Sequence, residues 1–120
     1  MIAPLRGTAS FELLRREGLR ARSGALSLVM RYDATSVVPQ VAFSVPRSVG
    51  PAVTRNRLRR RLRELLRARS RAQRLPSGQM LLICRPEATR LSFRELSDCV
   101  ERLFDSYLTK LNEQVGSSSA

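Results

Sequence analysis

The 120-residue sequence contains no histidine, only two cysteines and a single lysine, Lys110. Without histidine there is no imidazole relay and no zinc site of the usual cysteine and histidine type, which removes many enzyme classes at once. Cys84 and Cys99 are too few for a disulfide scaffold, so both are read as small buried apolar residues. No run of about 18 apolar residues occurs, so no membrane span is expected. The opening "MIAPLRGTAS" lacks the apolar core of a secretory signal, and a cytoplasmic address is the resulting expectation.

What the chain has in place of lysine is arginine. Lysine and arginine together number 22 against 10 acidic residues, a net charge of +12. A genome rich in arginine codons would explain the preference for arginine but not its clustering. Val53 to Arg74 holds ten arginines and one acid, Glu64. Such a concentration of like charge repels itself unless a polyanion relieves it, which makes nucleic acid the leading partner class.

The length suits one domain with a modest core, expected over 1–114, followed by a disordered "GSSSA" tail over 115–120. Thr8 or Ser10 can cap a helix through "FELLRREG", stopped at Gly18. "ALSLVMRY" alternates and predicts a strand with Leu26, Leu28, Met30 and Tyr32 on one face; "VAFSV" predicts another, with Val41, Phe43 and Val45 on one face. Pro51 then opens a helix from about Ala52 to Arg69. "QMLLICR" reads as a strand buried on both faces. "SFRE", Ser92 to Glu95, is a capping box, and Leu96, Val100, Leu103, Phe104, Tyr107, Leu108 and Leu111 recur behind it at helical spacing. The order is helix, strand, strand, helix, strand, helix: an α/β fold in which the basic helix crosses between two parallel strands.

On that helix Leu58, Leu62, Leu65 and Leu66 form the stripe that packs inward. Asn56, Arg60, Arg63 and Arg67 line the opposite side, with Arg57 and Arg59 on the flanks, over about 16 Å. Guanidinium groups fork onto phosphate oxygens and are weakly hydrated, so the residue type fits successive phosphates. A helix-turn-helix protein needs a helix just before the recognition helix, and here the preceding segment is a strand. Phe11 and Phe43 are candidate stacking platforms for single-stranded RNA. A structural RNA-binding protein and a DNA-binding module are the competing readings.

The run "VAFSVPRSVGPAVTRNRLRRRLRELLR" resembles the signature of the protein component of bacterial ribonuclease P: Phe43 to Val45, Arg47, Gly50, Ala52, Val53, then Arg55, Asn56 and Arg57 leading into a basic helix. Phe11, Gly18, "MLLICRP" and "SFREL" extend the likeness to about 100 residues. The resemblance departs at Arg15, where many relatives carry a second aromatic, and at Ser48 in the basic turn. It implies a small α/β sandwich with a mixed sheet and an uncommon left-handed strand, helix, strand crossover. It further implies a subunit that binds a large catalytic RNA and the 5′ leader of precursor tRNA, supporting endonucleolytic removal of that leader. Magnesium would be held mainly by the RNA, with no catalytic or metal-ligating residue in the protein and no obligate protein partner. By the same resemblance Arg47, Arg55, Asn56, Arg57, Arg59, Arg60, Arg63 and Arg67 would meet RNA, and Phe11, Arg15, Phe43 and Val45 would line a leader cleft between the first helix and the sheet.

Overall fold

A computed structural model describes the backbone of residues 1–119 and the side chains through Gln114. In chain order the elements are β1 (Ala3–Pro4), α1 (Thr8–Glu17), β2 (Leu19–Ser23), β3 (Leu26–Tyr32), β4 (Gln40–Ser44), α2 (Ala52–Arg71), β5 (Gly78–Cys84) and α3 (Phe93–Ser119). Short 3-10 turns at Arg47–Val49 and Pro86–Arg90 precede α2 and α3. The five strands form one mixed sheet in the order β1-β4-β5-β3-β2. The expected parallel pair is β4 with β5, joined through α2, while β3 is antiparallel to both β5 and β2.

Two strands were not anticipated. β1 is only two residues long and pairs parallel with β4 at the sheet edge, where Pro4 is tolerated. β2 forms a tight hairpin with β3 through Gly24, whose φ of 55° is left-handed. Its alternating "LRARS" faces Ala21 inward and leaves Arg20 and Arg22 exposed. α1 starts at Thr8, with Gly7 at the N-cap and no side-chain cap bond, so neither Thr8 nor Ser10 caps it. Gly7, at φ 95°, allows the sharp entry from β1 that a side-chain cap would otherwise stabilise.

The sheet separates two cores. On one face Leu26, Leu28, Met30, Val41, Met80 and Leu82 pack against Leu58, Leu62 and Leu66 of α2 and against Leu96, Val100, Leu103, Phe104 and Tyr107 of α3. Each fully buried leucine contributes about 1.5–3 kcal/mol, which fastens α2 in spite of its charge. The opposite face is smaller: Leu5, Leu14 and Val29 are buried there, with Phe11, Ala42, Leu81 and Ile83 partly so. β5 therefore alternates between a fully buried and a half-buried face instead of being buried on both, because α1 covers only part of the second face. Tyr32, expected inward, is 52% exposed at the end of β3.

The capping box at α3 is reciprocal. The Glu95 amide donates to Ser92 Oγ at 3.1 Å, and the Ser92 amide donates to Glu95 Oε1 at 2.9 Å. Those bonds hold the Glu95 carboxyl below its usual range. Both cysteines are buried and free. The expected tail over 115–120 lies outside the residues whose side chains are described.

Candidate nucleic-acid interface

Phe43 and Ala42 are adjacent in β4 and face opposite ways, and this divides the basic surface of the protein in two. Cross-strand register sets Phe43 beside Leu82 on the α2 side, and Ala42 beside Leu81 on the α1 side.

On the α2 side, burying Leu58, Leu62 and Leu66 turns the arginines outward in two rows. Asn56, Arg57, Arg60 and Arg67 are exposed, while Arg59 and Arg63 are half-buried along the flank that leans toward β4. Arg63 therefore belongs with Arg59 rather than with Arg60, a refinement of the line expected from helical spacing. Its guanidinium carbon lies 5.7 Å from the centroid of the Phe43 ring. Arg59 Nη1 donates to Asn56 Oδ1 at 3.0 Å, and Arg55 Nε donates to the Gly50 carbonyl at 3.1 Å, so Arg55 fastens the turn before the helix as well as adding charge. Arg47 is exposed in the 3-10 turn before it.

Among the described residues no arginine from Arg55 to Arg67 forms an ion pair. The ion pairs that do form lie elsewhere: Glu17 and Asp33 with Arg31, and Glu101 with Arg69 and Arg74. α2 thus presents uncompensated guanidinium groups, the condition under which an anion relieves repulsion.

Between this helix and the β1–β4 edge runs a groove of about 390 Å³, walled by Ile2 to Leu5 on one side and by Arg59, Arg63 and Arg67 on the other, with Phe43 at its base. Nothing in the sequence marked the first five residues as part of it, because a two-residue strand leaves no periodic signal.

On the α1 side a second groove is lined by Phe11, Leu14, Arg15, Arg20, Val29, Leu81 and Ile83. It continues into a hollow of about 360 Å³ bordered by Arg20, Arg22, Arg85 and Lys110. Phe11 and Arg15 stand where a cleft between α1 and the sheet was expected. Phe43 and Val45 do not: Phe43 lies on the far face, and Val45 is buried in the main core. The resemblance assigned all four to one cleft, and the sequence pattern left unspecified which face α1 covers. Arg20, Arg22, Arg85 and Lys110 were missed, although the alternation in "LRARS" was a usable signal for the first two.

The chain matches the family model described as Ribonuclease P over residues 3–108. It is 35% identical to the ribonuclease P protein component of Thermobifida fusca, with 99% of this chain and 84% of that protein aligned. It is 34% identical to the corresponding component of Acidothermus cellulolyticus, with 92% of each covered. Among solved structures, the RNase P protein of Staphylococcus aureus superposes with a TM-score of 0.77 at 15% identity, covering 89% of this chain and 99% of that one. The RNase P protein from Thermotoga maritima gives 0.72 at 24% identity, covering 84% and 94%. These two superpositions identify the fold, and the family match together with the two sequence relatives identifies the lineage. The chain belongs to the ribonuclease P protein family.

Proposed function

We propose that this chain is the protein subunit of a ribonucleoprotein endoribonuclease, binding a catalytic ribonuclease P RNA through α2 and the 5′ leader of precursor tRNA along the α1 groove. The observation that carries the proposal is the pair of basic surfaces on opposite faces of one sheet, one of them a helix whose arginines from Arg55 to Arg67 form no ion pair among the described residues. RNA and substrate are both polyanions, and their approach costs electrostatic work. A cationic body bound to both lowers that cost through phosphate contacts and counterion release.

The division of labour follows from the side chains. Arg55, Arg57, Arg60 and their neighbours bind and orient the RNA backbone. Phe11 offers an aromatic edge and Arg15 and Arg20 offer charge to a single strand, which suits contacts that do not depend on sequence. The proposal leaves the magnesium ion with the RNA, whose phosphates are hard oxygen donors suited to it.

The test is cleavage of 5′-labelled precursor tRNA by a bacterial ribonuclease P RNA at low magnesium, with and without the protein. Accurate leader release that requires the protein is the expected result. A protein that neither binds this RNA nor stimulates cleavage at any magnesium concentration would remove the proposal, and stoichiometric co-sedimentation with ribosomal subunits would replace it with a structural RNA-binding role.

A further inference from the structure

The groove between α2 and the β1–β4 edge is built differently from the rest of the basic surface. Arg57 and Arg60 point into solvent and can meet phosphates of any helix laid across α2. Arg59, Arg63 and Arg67 stand at every fourth position and overhang a recess whose other wall is Ile2 and Pro4 and whose base is Phe43. The recess volume of about 390 Å³ falls at the lower end of small-ligand sites, which run from about 300 Å³ upward.

We infer that this groove binds one unpaired ribonucleotide of the partner RNA, the base entering against Phe43, Ile2 and Pro4 while Arg59, Arg63 and Arg67 hold the flanking phosphates. The inference rests on the proposed RNA-binding role of α2 and adds to it a place for a single extruded base. Three observations support it. The apolar wall and base of the recess would be idle under a purely phosphate-binding surface. Unstacked bases settle on aromatic rings and on guanidinium groups, and the recess offers both, with the Arg63 guanidinium carbon 5.7 Å from the Phe43 ring centroid. The arginines at the rim carry no carboxylate partners among the described residues, so their charge is available to two successive phosphates. A-form duplex phosphates, by contrast, would be met by the outer row alone.

The experiment compares two RNA hairpins of the same length, one fully paired and one carrying a single bulged 2-aminopurine, titrated with the full chain at physiological salt. The bulged hairpin is expected to bind about tenfold tighter, the scale of one stacked base, with a change in 2-aminopurine emission on binding. Arg63→Gln, which leaves the core untouched, is expected to cut that preference below about threefold. Phe43→Ala, checked for folding by its thermal transition, is expected to do the same. Equal affinity of wild type for both hairpins would overturn the nucleotide site while leaving phosphate binding by α2 intact. A preference retained in both variants would overturn the residue assignment, and failure of both hairpins to bind would remove the interface reading itself.

Discussion

Arg69 on α2 and Glu101 on α3 are joined by a 2.7 Å hydrogen-bonded ion pair, and the Arg69 side chain is almost wholly buried. Arg74 reaches the other carboxylate oxygen at 2.8 Å, and the Arg69 guanidinium carbon stacks 4.6 Å from the Phe104 ring centroid. One arginine of the basic helix is thus taken up in fastening the two helices together.

Removing the acid strands a buried cation. Glu101→Gln is expected to lower unfolding stability by about 2 kcal/mol in urea titrations, less than the loss for a fully dry pair because Glu101 is partly solvated. Arg69→Met, which keeps the apolar stem and the contact with Phe104, is expected to cost less. A larger loss for Arg69→Met than for Glu101→Gln would contradict this account.

The same pair sets an acid limit. Burial alone would raise the Glu101 carboxyl, but hydrogen bonds and charge from Arg74 and Arg69 outweigh it and hold the group below 4.5. A carboxyl whose folded value is depressed contributes its full stabilisation above the unfolded value and loses it as pH falls through the folded one. Wild type should therefore lose part of its advantage over Glu101→Gln only below about pH 4.5, measured as the difference between their urea midpoints across pH 3 to 7. A difference that is constant over that range would exclude the linkage.

The phosphate contacts proposed for α2 would carry a salt signature. Each contact removed should reduce the slope of log affinity against log salt by about 0.7–0.9, so Arg57→Ala with Arg60→Ala should lower it by about 1.4–1.8 for the catalytic RNA. An unchanged slope would take these two side chains out of the interface.

The two aromatics should separate in function as they do in space. Phe11→Ala is expected to reduce by about tenfold the preference for leader-bearing precursor over mature tRNA. Phe43→Ala should leave that ratio at the wild-type value, since the ratio cancels any loss of affinity for the catalytic RNA. Equal losses of the ratio would mean that both rings meet the leader.

Gly78 opens β5 at φ 138°, and a Cβ built there would lie 2.0 Å from the Arg31 carbonyl oxygen of β3. Backbone on both sides leaves nothing soft to move. Gly78→Ala is expected to cost about 3 kcal/mol or more, seen as a lowered thermal midpoint or as insoluble expression. A near-neutral change would mean that the β3–β5 ladder opens at this end.

The helices were legible because their signals are local. The leucine stripe of α2 and the reciprocal Ser92–Glu95 cap of α3 appear at fixed spacings, and both form as the spacings predict. Sidedness was not legible. Alternation in β4 separates Val41 and Phe43 from Ala42 and Ser44, but it does not say which set meets α1; that is decided when β1 and α1 settle on the second face. The short strand Ala3–Pro4 carries no periodicity, so the wall it gives the arginine groove is apparent only in three dimensions.

Because neighbouring residues of β4 serve opposite faces, the polarity of the molecule comes down to parity. Odd positions of that strand, Val41 and Phe43, meet the arginine helix, and even position Ala42 meets the opposite face. Deleting one residue from β4 would leave composition and charge nearly unchanged and would exchange the two linings along the rest of the strand. A change that small would hand each basic groove the lining of the other.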